Sequence, residues 1–262
     1  MTVKFYKYQG TGNDFVMIDN RNPIGITKKH TGLIRHLCDR KFGIGADGLI
    51  LLNDKKGYDF EMIYFNSDGN ESTMCGNGGR CLIKFAHDLG VIGEKCSFLA
   101  IDGPHEGAIL KSGVISLKMK DVDSMEQSKA GNVIVNTGSP HFVSFVKNVS
   151  AVNIIKDARE IRYNARFKKA GINVNFVEQQ KKDEIFVRTY ERGVENETLS
   201  CGTGVVASSL ALAAKSKNAI KKVKIKTPGG KLEVKFSNAG KGYKDIYLIG
   251  PAKRVFEGSV EV

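Results

Sequence analysis

Two cysteines in this sequence stand directly before a Gly-x-Gly turn, and their surroundings match. Cys75 begins Cys-Gly-Asn-Gly, and Cys201 begins Cys-Gly-Thr-Gly. Where such a turn opens a helix, the unpaired backbone N–H groups bind a carboxylate and the helix dipole lowers the pKa of the adjacent thiol. A thiolate base on one face of a carbon and a thiol acid on the other would invert that centre. The pair therefore predicts proton transfer at a carbon that carries a carboxylate, with Cys75 and Cys201 as the catalytic groups.

Other uses of the cysteines fit the sequence less well. The chain has five cysteines, without a CxxC pair or a secretory signal, which argues against a disulfide framework. The spacing of Cys75 and Cys81 does not suit a zinc knuckle, and no metal site is predicted. A thiol redox protein would hold its cysteines close together, whereas these two are 201 − 75 = 126 residues apart. Cys38, Cys81 and Cys96 fall at apolar positions and are predicted core residues.

The matching contexts belong to an internal repeat with an offset of 126 residues. At this offset Asn-Glu-Ser-Thr-Met-Cys-Gly-Asn-Gly falls on Asn-Glu-Thr-Leu-Ser-Cys-Gly-Thr-Gly. The same offset aligns residues 11–13 with 137–139, residues 45–47 with 171–173, and Gly103 with Gly229. Separate stretches that share one register indicate a tandem duplication.

Each half predicts the same series of elements. Runs of β-branched and aromatic residues predict strands, among them 15–18, 60–65, 142–145 and 185–190. A helix follows each Cys-Gly-x-Gly turn, at about 79–89 and about 205–215, and a strand–turn–strand unit follows each helix. A further helix at 27–40 is predicted for the first half alone.

The short turns between strands indicate mixed or antiparallel pairing, so the predicted fold class is α+β. We expect two pseudo-symmetric duplicated domains, each with strands wrapped around a central helix, and an active site in the cleft between them. The predicted domains are residues 1–120 and 121–262, and the tail 251–262 is free to return to the first domain.

Composition excludes several classes of protein. The net charge of +12 comes from lysines spread along the chain rather than from a basic block, which indicates a solvated surface and no nucleic-acid partner. No apolar run is long enough to span a membrane, and the N-terminus lacks the layout of a signal peptide. We therefore expect a cytoplasmic protein without a membrane partner.

The stretch Gly-Ile-Gly-Ala-Asp-Gly at residues 43–48 matches the Gly-x-Gly-x-x-Gly dinucleotide pattern. That pattern needs a strand before it and a helix after it. Here the predicted helix comes first and a strand follows, so nucleotide binding is not expected.

The motifs of this chain resemble those of diaminopimelate epimerases over essentially its whole length. The matching stretches are residues 10–15, 42–48, 66–69, 75–81, 138–141, 173–176, 190–193 and 201–204. The resemblance implies interconversion of LL- and meso-diaminopimelate, without pyridoxal phosphate or another cofactor, in lysine and peptidoglycan precursor synthesis. It also implies a homodimer.

The resemblance assigns roles to individual residues. Cys75 and Cys201 become the acid/base pair, and His141 and Glu191 match positions thought to tune the thiols. The α-carboxylate would be held by backbone N–H groups around Gly76, Asn77, Gly202 and Thr203. The unreacting end of the substrate would be held by Asn13, Asn66, Asn173 and Arg192, with Glu191 near an amino group. Ser139 departs from the family pattern, because many members have an asparagine there that reaches further.

Two alternatives stay open at this point. An epimerase of the same fold could act on another amino acid, because pocket size cannot be read from a sequence. A non-catalytic amino-acid binder would bind the same ligand without exchange of its α-proton.

Overall fold

The computed structural model describes residues 2–23, 25–217 and 219–262. The chain forms two compact units. The first unit is the chain up to Leu117 together with Gly250–Val262, and the second unit is Lys118–Ile249. The last strand of the chain therefore belongs to the first unit.

The strands of the first unit, numbered along the chain, are β1 (Thr2–Gly10), β2 (Asn13–Asp19), β3 (Gly48–Asn53), β4 (Phe60–Asn66), β5 (Glu71–Ser72), β6 (Lys95–Ala100), β7 (Gly103–Ile109), β8 (Ile115–Lys118) and β18 (Lys253–Glu261). They pair in the order β18-β1-β2-β3-β4-β6-β7-β8, and β5 also pairs with β4. The pairs β2–β3 and β4–β6 are parallel and the others are antiparallel.

The strands of the second unit are β9 (Glu126–Gln127), β10 (Val133–Asn136), β11 (Pro140–Phe145), β12 (Asn173–Lys181), β13 (Glu184–Glu191), β14 (Asn196–Thr198), β15 (Lys222–Thr227), β16 (Gly230–Ala239) and β17 (Gly242–Gly250). Their order is β9-β10-β11-β12-β13-β15-β16-β17, with β14 also on β13. The parallel pairs are β11–β12 and β13–β15, which occupy the same places as those of the first unit. The predicted duplication and the α+β class are confirmed.

A buried helix lies at the centre of each unit. Helix α2 (Gly76–Asp88) packs against β1, β2, β3, β7 and β18, and α4 (Gly202–Lys215) packs against β10 to β13, β15 and β16. Both helices begin three residues before the predicted starts, because the glycines form the first turn instead of preceding it. The missing side chains let neighbours approach closely: a Cβ at Gly79 would lie 2.9 Å from Leu117 Cδ2.

A second helix covers the other face of the strands in each unit. Helix α1 (Thr31–Cys38) is shorter than the predicted 27–40, and it buries Ile34 and Leu37 against β2 and β3. Helix α3 (Ile154–Arg162) stands at the matching place in the second unit. The sequence made this helix clear only in the first half, because α3 has nine residues and five of them are charged, although Ile154 and Ala158 lie at helical spacing on its buried face.

Within the described residues, no helix combines the length and apolar character needed to cross a membrane. The same part of the chain holds no group of three or more His, Cys, Asp or Glu side chains arranged to ligate a metal ion.

Candidate active site

Cys75 and Cys201 occupy the N-cap positions of the two central helices. Both have extended backbone conformations, with φ/ψ of −93°/127° at Cys75 and −110°/114° at Cys201. Cys75 is half-buried and Cys201 is 7% exposed. Each thiol therefore lies beside the positive end of a helix dipole, where a thiolate or a bound carboxylate is stabilised.

The three remaining cysteines are buried within the first unit. Burial raises the pKa of Cys38, Cys81 and Cys96 to about 12 in each case. A thiol with such a pKa stays protonated near neutral pH and is a poor base or nucleophile. These residues form part of the core, as the apolar pattern predicted.

Asn13 contacts the thiol of Cys75. Its Oδ1 accepts hydrogen bonds from Cys75 Sγ at 3.6 Å and from Asn77 Nδ2 at 3.3 Å, while its Nδ2 donates to Asp47 Oδ2 at 2.6 Å. Because a carboxylate only accepts, Asp47 fixes the orientation of the Asn13 amide. The structure thus brings together Asn13, Cys75 and Asn77, three of the predicted site residues.

Charged residues hold Asp47 in place. Arg40 donates to both carboxylate oxygens of Asp14, at 3.0 and 2.7 Å, and to Asp47 Oδ1 at 2.8 Å. Lys7, which is 6% exposed, forms an ion pair with Asp14 at 2.9 Å. Burial alone would raise the pKa of Asp14, but hydrogen bonds from Arg40 and Lys7 outweigh it and hold that pKa well below its usual range. Asp14 is therefore ionised at neutral pH and keeps Arg40 in place beside Asp47.

Arg80 is fully buried in the first turns of α2. Its guanidinium donates to the Gly76 carbonyl at 3.3 Å, to Asn77 Oδ1 at 3.0 Å and to Thr11 Oγ1 at 3.2 Å. Burial lowers its pKa below the usual value for arginine. These bonds tie the start of α2 to the turn between β1 and β2, so Arg80 helps to position the backbone next to Cys75.

Cys201 contacts Thr203 in the second unit. The distance from Cys201 Sγ to Thr203 Oγ1 is 3.5 Å, and His141 Nε2 lies 2.9 Å from the same hydroxyl oxygen. Thr137 Oγ1 donates to the Thr203 carbonyl at 2.9 Å, which anchors the first turn of α4. The predicted residues His141, Cys201 and Thr203 therefore lie together.

His141 has no exposed surface and lies between Asn175 and Thr203 in a polar cluster. Burial, together with the positive charge of Arg192, lowers its pKa to about 3. The imidazole is therefore neutral at physiological pH.

This shift predicts a pH dependence of stability. The unfolded chain protonates His141 near its ordinary pKa of 6.5, whereas the folded chain does so only near 3. The contribution of neutral His141 to the free energy of unfolding is fully present above pH 6.5 and is lost as the pH falls from 6.5 towards 3. Between about pH 7.5 and about pH 5 this group should remove about 2 kcal/mol from the free energy of unfolding.

Urea unfolding at the two pH values measures this loss. His141→Gln should show a smaller loss than the parent, whereas His36→Gln, at an exposed position, should match the parent. An unchanged loss in His141→Gln would contradict the neutral buried state of His141.

Two of the residues predicted to hold the distal end of the substrate, Asn173 and Arg192, form a second group in this unit together with Ser139. Asn173 Nδ2 donates to Ser139 Oγ at 2.9 Å and to the Pro140 carbonyl at 3.1 Å. Asn173 Oδ1 accepts from the Arg192 backbone N–H at 2.8 Å, and the Arg192 guanidinium donates to the Ala170 carbonyl at 3.1 Å. Ser139 is thus close enough to Asn173 for a direct bond despite its short side chain.

The other predicted residues lie at element ends. Glu191 ends β13 and accepts a hydrogen bond from Thr198 Oγ1 at 3.0 Å. Asn66 ends β4 and is exposed, while Gly76 and Gly202 are buried as the first residues of the central helices. The supporting residues that the sequence did not single out are Lys7, Asp14, Arg40, Asp47, Arg80, Asn175 and Thr189, whose hydroxyl donates to Asn175 Oδ1 at 2.9 Å. For Asp47 a signal existed, since it lies in the stretch 42–48, one of those that carry the family resemblance.

Two equivalent glycines differ in what surrounds them. A Cβ at Gly204 would lie 2.4 Å from Asn175 Oδ1, which is buried and hydrogen bonded, whereas at Gly78 the nearest atom is Ile50 Cδ1 at 3.0 Å. Gly204→Ala should therefore be less stable than Gly78→Ala by about 2 kcal/mol, because both gain the same helix propensity but only one is overpacked against a polar group. Chemical unfolding of the two variants tests this, and equal stabilities would contradict it.

Comparison with known proteins identifies close relatives. A family profile described as diaminopimelate epimerase matches residues 5–132 and 133–255. The diaminopimelate epimerase of Flavobacterium psychrophilum is 51% identical over 258 residues, which cover 98% of this chain and 100% of that protein. That of Aquifex aeolicus is 38% identical over 275 residues, which cover 98% of this chain and 97% of that protein. These matches confirm the resemblance inferred from the motifs.

Solved structures share the fold at low identity. A phenazine biosynthesis protein from Bacillus anthracis superposes with a TM-score of 0.78 at 15% identity, covering 100% of both chains. A probable proline racemase from Agrobacterium radiobacter gives a TM-score of 0.72 at 14% identity, covering 99% of this chain and 93% of that chain. The duplicated architecture is therefore shared with proteins that carry other names.

Proposed function

Because this chain belongs to the diaminopimelate epimerase family, we propose that it interconverts LL- and meso-2,6-diaminopimelate by moving the α-proton between Cys75 and Cys201. The chain is an isomerase of the amino-acid epimerase type. Its reaction belongs to the synthesis of lysine and of peptidoglycan precursors.

The observation that supports the two-cysteine mechanism most strongly is the repeated helix start. In each unit a cysteine is the N-cap of the central helix, followed by a turn with two glycines. Inversion of a carbon needs one proton acceptor and one proton donor on opposite faces, and the duplication supplies one thiol from each unit.

In this mechanism the thiols transfer the proton and backbone N–H groups bind the substrate. One cysteine, as a thiolate, removes the α-proton from one face, and the other, as a thiol, delivers a proton to the opposite face. Backbone N–H groups near Gly76 and Asn77 and near Gly202 and Thr203 would bind the α-carboxylate. They would stabilise the charge that develops when the proton leaves, as preorganised donors do in an oxyanion hole. In the reverse direction the two cysteines exchange roles.

The distal end of diaminopimelate carries a second carboxylate and a second ammonium group. Arg192 can form a two-pronged hydrogen bond with that carboxylate, and the side chains of Asn13, Asn66 and Asn173 would complete the binding site around it. Glu191 would bind the ammonium group. Asn173 is already oriented by Ser139 and by the backbone of Arg192.

His141 and Glu191 are the proposed tuning residues of the thiols. His141 reaches Cys201 through the Thr203 hydroxyl. Its neutral state makes it a hydrogen-bonding partner rather than a second charge in the site.

We further propose that the enzyme needs no pyridoxal phosphate or other cofactor, because the thiols and the helix N-termini supply the acid, the base and the stabilisation of the carbanion. A homodimer is proposed from the family resemblance, and light scattering during gel filtration measures it. Location in the cytoplasm stays a prediction.

Incubation of LL-diaminopimelate with the purified, reduced protein tests the proposed function. Chromatography should show the meso isomer forming until both isomers coexist, without an added cofactor and after treatment with a carbonyl reagent that destroys pyridoxal phosphate. L-Lysine, L-glutamate and L-proline serve as comparison substrates. Racemisation of one of these, with no reaction of diaminopimelate, would contradict the proposal and favour an epimerase for another amino acid.

A further inference from the structure

A buried polar chain runs from β13 to Cys201 in the second unit. Thr189 Oγ1 donates to Asn175 Oδ1 at 2.9 Å, and Asn175 Nδ2 lies 3.1 Å from His141 Nδ1. The chain continues from His141 to Thr203 at 2.9 Å and from Thr203 to Cys201 at 3.5 Å. Asn175 and His141 have no exposed surface and Thr189 is 3% exposed, so water does not compete for these bonds.

The orientation of the Asn175 amide follows from its other partners. Asn175 Nδ2 also lies 3.1 Å from the carbonyl oxygen of Phe142, which can only accept a hydrogen bond. With the amide oxygen turned towards the Thr189 hydroxyl, the second N–H of the amide points to His141. Asn175 therefore donates to His141 Nδ1.

This donation fixes the direction of the remaining hydrogen bonds, from His141 to Thr203 and from Thr203 to Cys201. A ring nitrogen that accepts a hydrogen bond carries no proton, so the neutral imidazole of His141 holds its proton on Nε2. Nε2–H then donates to the Thr203 hydroxyl oxygen. The hydroxyl has one hydrogen of its own, which is left to donate to the Cys201 sulfur, and donation to a thiolate favours the charged form.

We propose that Asn175, held by Thr189, is a positioning residue that directs the His141–Thr203–Cys201 chain so that the Thr203 hydroxyl donates to Cys201 and favours its thiolate. The importance of this for catalysis rests on the proposed function, since it would prepare Cys201 to accept the α-proton. Asn175 acts through two other side chains and does not touch the reacting atoms.

Charged groups at the end of β13 act on the same series of hydrogen-bonded side chains. Arg192 lies close enough to lower the pKa of His141 through its positive charge, which keeps the imidazole neutral. Glu191 precedes it at the end of β13, and its carboxylate accepts a hydrogen bond from Thr198. A test must therefore use substitutions that change no charge.

The first unit provides an internal comparison. The start of α2 packs on Ile50 and Phe15 at Gly78, the position equivalent to Gly204. Cys75 Sγ donates to Asn13 Oδ1, which is an acceptor, whereas Cys201 faces a hydroxyl that can donate. Substitutions in the polar chain should leave the titration of Cys75 unchanged.

The experiment is a pH titration of thiolate ultraviolet absorbance in the full-length, reduced protein without substrate. The signal of Cys201 is the difference between each protein and the same protein carrying Cys201→Ala. Thr203→Val should raise the pKa of Cys201 by at least about one unit, a tenfold change in its ionisation constant, because it removes a hydrogen bond to a charged group. Thr203→Ser should retain the parent value.

The role of Asn175 is tested by the neutral variants Asn175→Leu and Thr189→Val, the second of which keeps the shape of the side chain. Each should raise the pKa of Cys201 by less than Thr203→Val does, because His141 then divides its proton between two ring nitrogens. Neither should add a shift when Thr203→Val is already present.

Three results would overturn the proposal. They are an unchanged pKa in Thr203→Val, equal shifts in Thr203→Val and Thr203→Ser, or a full additional shift from Asn175→Leu in the Thr203→Val protein. Because no substrate is present, the expected titrations would support the polar chain even if diaminopimelate were not turned over.

Discussion

Replacement of either Cys75 or Cys201 by alanine should abolish epimerisation while leaving one-sided proton exchange. Inversion needs both thiols, and loss of one proton-transfer group lowers a rate by about 10²- to 10⁴-fold. Each variant still has one base that can remove and return a proton on a single face. In heavy water, Cys75→Ala and Cys201→Ala should therefore label the α-position of opposite isomers without inverting either. NMR of LL- and meso-diaminopimelate with each variant measures this.

Cys81→Ala is the matched control, because this cysteine is buried in the same helix as Cys75 and has a pKa of about 12. It should retain epimerisation. Inversion at the parent rate by Cys75→Ala or Cys201→Ala would show that a group other than that cysteine transfers the proton.

Substitution of Arg192 by methionine should raise the KM for diaminopimelate by about 10- to 100-fold, because a charge-assisted hydrogen bond to the distal carboxylate is lost. Arg192 is exposed at the end of β13, and its guanidinium has donors beyond the one used by Ala170. Steady-state kinetics of Arg192→Met, with Arg192→Lys as a variant that keeps the charge, measures the effect.

The substrate provides the control for this experiment. L-Lysine is diaminopimelate without the distal carboxylate, so its weak binding as an inhibitor should be the same in the parent and in Arg192→Met. If Arg192→Met weakened L-lysine as much as diaminopimelate, Arg192 would not bind the distal carboxylate.

The duplication and the position of both cysteines could be predicted because the same motif occurs in both halves of the sequence. The shared offset places Cys75 and Cys201 in matched motifs, and the glycines that follow indicate a helix start. The matched pairing of β2–β3 with β11–β12, and of β4–β6 with β13–β15, shows that the repeat extends to the topology.

Features that depend on contacts between distant strands could not be predicted. Asp47 orients Asn13 from 34 positions away, and Asn175 reaches His141 from the neighbouring strand across the same number of positions. Neither pair has a spacing that marks it in the sequence. Helix α3 was not predicted for a different reason: it is short, and five of its nine residues are charged.

The most direct test of the two-cysteine account is the isotope content of both isomers early in the reaction of LL-diaminopimelate in heavy water. When one thiol removes the proton and another delivers its own, the new meso isomer must carry solvent deuterium at the inverted carbon. The remaining LL isomer should still carry its original hydrogen. Deuterium that enters the LL isomer before the meso isomer forms, or a meso isomer that keeps the original hydrogen, would contradict transfer between Cys75 and Cys201.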